Sequence, residues 1–227
     1  TNLEMLPVMR AAGCRMLMTG FEFGTDENLR VIRKGGVSVD MARKYAFRAH
    51  ELGFTIHGCF MIGAPGETKD SAHKTIDFAK SLPLDTVQIT GVAAYPGTTL
   101  YKWAKQNDYL LAKDWKDWLT KEGEQRTLLS YPQLSHKEID ELIDVGLKEF
   151  YLRPKQIWSM FVSIRTVGDL LRKVHGFKAF VHYFAQKITR TFKIAAPEKP
   201  KSVFINRVAE LERKQEHKEA LVSSLVN

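Results

Sequence analysis

Three short stretches put glycine beside groups able to grip a small molecule: "TGFEFGT" (19–25), "IGAPGET" (62–68) and "AAYPGTTLY" (93–101). Glycine lets backbone amides come close to a ligand, and proline holds a turn in one shape. Glu22 can accept hydrogen bonds from a ribose diol, or it can pair with a lysine on a helix. Glu67 stands where a helix begins, and a carboxylate there stabilises the helix dipole. Tyr95 can stack on a flat ring or pack against the Pro96–Gly97 turn. Gly24, Gly63, Pro65 and Gly66 supply the tight backbone of the first two stretches. His57, Met16 and Met18 lie inside apolar runs and read as core. A sugar-phosphate is a poor match, because "GAPGET" carries an acid where a phosphate-gripping loop wants a base. A nucleoside-sized ligand fits the three stretches better, provided that they meet on one side of the fold.

The elements around them make that meeting expected. "CRMLMTGF" (14–21), "FTIHGCFMIG" (54–63) and "TVQITGV" (86–92) are apolar and strand-like, and each runs into one of the three stretches. Helical segments separate them. "TDENLRVIRKG" has acids first and bases last. "SVDMARKYAFRAHELG" starts at a serine cap and places Met41, Tyr45, Ala49 and Leu52 on one stripe. "TKDSAHKTIDFAKSL" and "TTLYKWAKQN" complete the alternation, and a short helix ending at Gly13 precedes it. Helical crossovers imply parallel strands. Their near-continuous apolar character predicts a sheet covered on both faces. Parallel strands point the same way, so their glycine-bearing tips share one edge, where such folds place their chemistry. Beyond residue 110, "SHKEIDELIDVGLKEFYLR" opens with a capping box from Ser135 to Glu138. It carries Ile139, Leu142, Ile143, Leu147 and Phe150 at helical spacing.

The chain has 227 residues and 44% hydrophobic composition, enough for a real core. No run of about 18 apolar residues exists, and the amino end has no secretory pattern. Cys14 and Cys59 sit far apart in apolar runs, read as reduced thiols, and point to a cytoplasmic protein.

The quoted motifs resemble those of radical S-adenosylmethionine (radical SAM) enzymes. "GFEFGTDENLRVIRKG" is similar to their Gly-[Phe/Tyr]-Glu-Ser-Gly…Ile-x-Lys-Gly segment. "HGCFMIGAPGET" resembles their fifth strand with its Gly-x-Pro-Gly-Glu-Thr turn, and "AAYPGTTLYKWAKQN" resembles the sixth. "SYPQLSHKEID" and "EFYLRP" are similar to segments of the cobalamin-binding type, in the hopanoid-biosynthesis-associated and magnesium-protoporphyrin cyclase groups. The resemblance spans about residues 1–160. It implies the carboxy-terminal half of a partial (βα)6 barrel over residues 1–110, closed by a loop and helix over 111–153. It further implies radical chemistry with S-adenosylmethionine and a 4Fe–4S cluster, possible use of cobalamin, and an apolar or tetrapyrrole-like substrate. Glu22 would then bind the ribose or nearby polar atoms. Backbone from Gly63 to Gly66 and the Tyr95-Pro96-Gly97 turn would flank the adenine, with Gly24 and Glu67 beside them. The family's Cys-x3-Cys-x2-Cys, which fixes three irons, has no counterpart in this sequence, and neither have its Gly-Gly-Glu segment and cobalamin domain. Phe23 replaces the family's serine. The expectation is a carboxy-terminal fragment whose cluster ligands lie outside this chain. The alternative is a non-catalytic remnant or binding module with a membrane-surface helical region.

Residues 153–193 hold nine Lys/Arg against Asp169 alone, a balance of +8 that equals the net charge of the whole chain. This basic, aromatic region is expected to be helical over 154–193, with a linker and amphipathic tail over 194–227. Peripheral contact with the inner face of a membrane suits the composition. A solvated basic face is the plain alternative. No nucleic-acid partner is expected.

Overall fold

The computed structural model describes residues 3–32, 36–119, 123 and 125–162, with scattered positions between 164 and 185. The chain divides into two compact units, Thr1–Ser163 and Ile164–Asn227. The linker and tail expected over 194–227 lie outside the described residues, as does much of 163–193.

The first unit alternates helix and strand. It runs α1 (Met5–Ala11), β1 (Met16–Glu22), α2 (Asp26–Val31), α3 (Val39–Glu51), β2 (Thr55–Ile62), α4 (Lys69–Ser81), β3 (Thr86–Gly91) and α5 (Thr99–Gln106). A 3-10 turn (Trp115–Trp118), α6 (His136–Tyr151) and α7 (Pro154–Val162) follow. The strands form a parallel sheet in the order β1-β2-β3. Polar side chains start the helices by accepting otherwise orphaned amide hydrogens. Thr25, Ser38, Thr68, Thr98 and Ser135 do this for α2 to α6 in turn. The capping box of Ser135 and Glu138 is present, and Lys69 pairs with Glu138 at 2.7 Å, which holds that carboxyl down at about 2.

One face of the sheet is the core. Leu17 and Phe21 of β1, Ile56, Phe60 and Ile62 of β2, and Val87 and Ile89 of β3 are buried. They lie against α3, α4 and α6, where Phe21 stacks on Phe60 and Phe78 meets both edge-on. Among the described residues no element covers the opposite face, which differs from the expectation of cover on both sides. Met16 and Met18 are 53% and 72% exposed, so neither is core. His57, Cys59 and Met61 are half-buried, and Gln88 is exposed. Side chains alternate along a strand, and the described helices cover only one set. Apolar composition alone did not reveal this, because Met on the open face looks like Met in a core.

The stripe expected on α3 holds except at Met41, which is exposed: Ala49 is buried, Tyr45 and Leu52 pack against the core, and Ala42 and Ala46 complete the buried side. Small side chains let this helix lie close to the strands, and the hydroxyl of Tyr45, one position before Ala46, lies 3.4 Å from that of Thr19 on β1. Close approach recurs at Gly146 of α6, where a Cβ would stand 2.7 Å from Ile89 Cδ1.

The outer side of β3 is sealed by side chains that follow it. Tyr151 accepts from Val87 N at 3.0 Å and donates to Val87 O at 2.8 Å. Gln156 donates to Asp85 O at 2.6 Å. Arg153 lies over the Phe150 ring and donates to the carbonyls of Phe150 and Lys80. The two Tyr151 bonds replace ladder bonds that an edge strand lacks.

Candidate functional site

The register sets the three tips side by side. Glu22 is level with Phe60, and Ile62 is level with Gly91, so all three strands finish at the same edge of the sheet.

The first tip is a strained turn. Phe23 N donates to Phe21 O at 2.9 Å across Glu22, whose φ is +67°. A residue with a side chain seldom adopts that conformation, and functional sites are where such strain collects. The pairing with β2 slips between Gly20 and Glu22. Phe21 and Phe23 are both buried, at 3% and 0% exposure. Glu22, between them, remains half-buried. The carboxylate is close enough to Cys59, on the open face, to help raise its thiol's pKa, after burial as the larger cause. Phe23 therefore fills core volume where the similar family has serine.

The second tip is held by its own acid. Glu67 is fully buried. Its Oε2 accepts from Gly63 N at 2.5 Å and Ala64 N at 3.1 Å, and its Oε1 accepts from Asn28 Nδ2 at 2.8 Å. Burial pushes this carboxyl up to about 7, although all three hydrogen bonds pull the other way. The residue that caps α4 is Thr68. Gly63 and Gly66 take φ of +100° and +80°. Tyr131 donates to Gly63 O at 3.0 Å, and burial followed by the Glu67 charge raises its phenol above the ordinary range.

The third tip is more open. Thr98 returns its backbone N–H and its hydroxyl to Tyr95 O, at 3.2 and 2.7 Å. Gly97 closes the turn at φ +91°. Tyr95 is 50% exposed, and its hydroxyl donates to Gln125 Oε1 at 3.3 Å. Gln125 in turn donates to Gly91 O at 3.0 Å.

The expected residues thus divide by what their polar groups do. Glu22, Pro65, Gly66, Tyr95, Pro96 and Gly97 lie at least partly exposed along the edge. Gly63 and Glu67, both buried, and the half-buried Gly24 shape it through their bonds to protein. Gly24 N donates to Thr75 Oγ1 at 3.0 Å, and a Cβ there would meet the backbone of α4 at 2.5 Å. Gly63 has both its amide and its carbonyl engaged by protein. Asn28, Thr75, Gln125 and Tyr131 each anchor one of the tips, and sequence reasoning missed all four. Only Tyr131 carried a signal, inside "SYPQLSHKEID".

The edge carries a half-buried carboxylate, a half-exposed aromatic ring and two glycines with open space beside them at Gly66 and Gly97, groups of the kinds expected for a nucleoside. The chain does not fit a 4Fe–4S cluster. Its two cysteines are too few, and they stand at different levels. Cys59 pairs with Gly20, which lies roughly 20 Å of strand beyond Cys14. Among the described residues there is no group of three or more His, Cys, Asp or Glu able to hold a metal.

No family model matches the chain. It is 30% identical over 177 residues to an uncharacterized methyltransferase of Pyrococcus horikoshii, covering 75% of this chain and 38% of the relative's length. It is similar in structure to the radical S-adenosylmethionine methyltransferase TsrM of Kitasatospora setae, solved with cobalamin and a 4Fe–4S cluster bound. There the TM-score is 0.50 at 18% identity, over 64% of this chain and 34% of that one. Coproporphyrinogen III oxidase (HemN) of Escherichia coli, a radical SAM enzyme, gives a TM-score of 0.45 at 19% identity, over 64% and 29% of the two chains. The chain spans well under half the length of each of these proteins. In fold it is an α/β array with a three-stranded, open parallel sheet, similar to that of a radical SAM methyltransferase, and in sequence it is similar to a second methyltransferase.

Proposed function

We propose that the chain is the nucleoside-binding part of a radical SAM enzyme and holds S-adenosylmethionine along the ends of β1, β2 and β3. The observation that carries this reading is the alignment of Glu22, the 63–67 turn and the 95–97 turn on one edge. Above that edge the sheet leaves one face open. Glu22, placed by its strained turn, accepts hydrogen bonds from the ribose hydroxyls. The Gly66 and Gly97 turns and the Tyr95 ring flank the adenine. Glu67 and Tyr131 keep the second turn in shape without touching the ligand. Bound to a 4Fe–4S cluster, S-adenosylmethionine would supply a 5′-deoxyadenosyl radical, and three thiolates from outside this chain would have to hold that cluster. The similarity to two methyltransferases favours methyl transfer by the whole enzyme, on an apolar or tetrapyrrole-like substrate, with cobalamin as methyl carrier.

A second reading, a binding module without catalysis, draws its support from the cysteine count. Titration of the amide-labelled chain with S-adenosylmethionine tests what both readings share. Resonance shifts should gather at Glu22, Gly66 and Tyr95, and Glu22→Ala should weaken binding about tenfold or more. Shifts at the opposite ends of the strands, or none at millimolar ligand, would remove the proposal.

A further inference from the structure

The first unit ends on a helix whose outward side is apolar. In α7, Gln156 is buried and bonded to Asp85 O, which fixes the side that faces the body. At about 100° per residue, Ile157, Trp158 and Val162 fall within an arc about 140° wide on the other side. They are 41%, 71% and 61% exposed, and Leu152 just before the helix is 57% exposed. Lys155 flanks the arc and is exposed. In the second unit, helical residues Leu170, Leu171, Val174 and Phe177 follow the spacing of one stripe and are exposed. Lys178 beside them is exposed too.

Their charge identifies the partner. The whole +8 of the chain falls within 153–193, where Asp169 is the one acid. Arg153 is turned inward onto Phe150 and the Lys80 carbonyl, whereas Lys155 and Lys178, the other described bases of the segment, are exposed. An apolar arc bearing a tryptophan and flanked by a base, as on α7, matches the boundary of an anionic bilayer, where rings settle among the headgroups and cations meet phosphate. Among the described residues no helix is long and apolar enough to cross a membrane, so these helices would lie on the surface. We propose that α7 binds this chain to an anionic lipid surface, with Ile157, Trp158 and Val162 entering the headgroup boundary, and that Leu171 and Phe177 of the second unit make their own, separate contact with it. This inference stands apart from S-adenosylmethionine binding, because it uses none of the strand-end residues.

The test uses the full chain and phosphatidylcholine vesicles with and without phosphatidylglycerol, at low salt. The chain should pellet with the anionic vesicles and stay in solution with the neutral ones. Trp158 emission, taken as the difference between the chain and Trp158→Phe, should move to the blue on binding. Ile157→Ser/Trp158→Ser should lower the partition about tenfold or more. Leu171→Ser/Phe177→Ser should lower it separately, and both variants should keep the parent's thermal midpoint because the sites are exposed. Three results would each overturn the proposal. One is a chain that stays in solution with anionic vesicles. Another is a first double variant that binds as tightly as the parent, leaving the work to the bases alone. The third is a concentration-dependent dimer abolished by Trp158→Ser, which would assign the arc to a second copy.

Discussion

Glu67 is the residue on which the second tip turns. Its three donors are buried, so Glu67→Ala should cost about 2–4 kcal/mol by orphaning the amides of Gly63 and Ala64 and the Asn28 side chain. Glu67→Gln keeps an acceptor and removes the titration. The sign of the pH effect follows from an acid raised from 4.5 to about 7 by folding. Between those values the folded chain holds a proton that the unfolded chain has lost. This contribution is therefore complete below 4.5, declines as pH rises toward 7, and is absent above it. The difference in unfolding free energy between the parent and Glu67→Gln should change by about 2–4 kcal/mol from about pH 5 to about pH 8. Urea titrations of both proteins across that range measure it, and parallel curves would show that Glu67 stays ionised throughout. Little of this was legible in the sequence. An acid after Pro-Gly at a helix start reads as a dipole partner, and nothing local reveals that it folds back onto its own turn and onto Asn28, 39 positions earlier.

At the scale of elements, the alternation of strand and helix was legible because apolar runs, serine and threonine caps and glycine stops agree with one another. What escaped was the direction in which faces point. Met41 and Ala42 are neighbours on α3, and tertiary packing chose the alanine row because the helix sits close to the sheet. Met16 and Met18 face the open side for a reason outside their own strand, namely where α3, α4 and α6 lie. Gly24 shows the same dependence. It was read as a backbone meant for a ligand, yet it is where the first tip meets the backbone of Lys74 and Thr75. Backbone cannot yield as a flexible side chain can, so Gly24→Ala should destabilise by about 2 kcal/mol or more. A thermal midpoint within a degree or two of the parent would contradict that packing role.

For the whole molecule, parallel strands gather the candidate chemistry at their ends, beside a sheet face left open by the described elements. The shared edge was legible from the βα repeat, because parallel strands point their tips the same way. The openness was not, since it depends on what lies beyond the three strands. The cysteine count also acts at this scale. After anaerobic incubation with iron and sulfide the chain should show no stoichiometric 4Fe–4S absorption, whereas uptake of a full cluster would contradict the account of Cys14 and Cys59.

The most direct measurement is the amide spectrum of the chain titrated with S-adenosylmethionine, read against Glu22→Gly. Glycine relieves the +67° backbone at that position, so the variant should keep its stability within about 1 kcal/mol while losing the carboxylate. The expected result is saturable shifts at Gly66, Tyr95 and Gly97 in the parent, about tenfold weaker in the variant. Equal affinity in the two proteins, or shifts confined to the far ends of the strands, would contradict a nucleoside site at this edge.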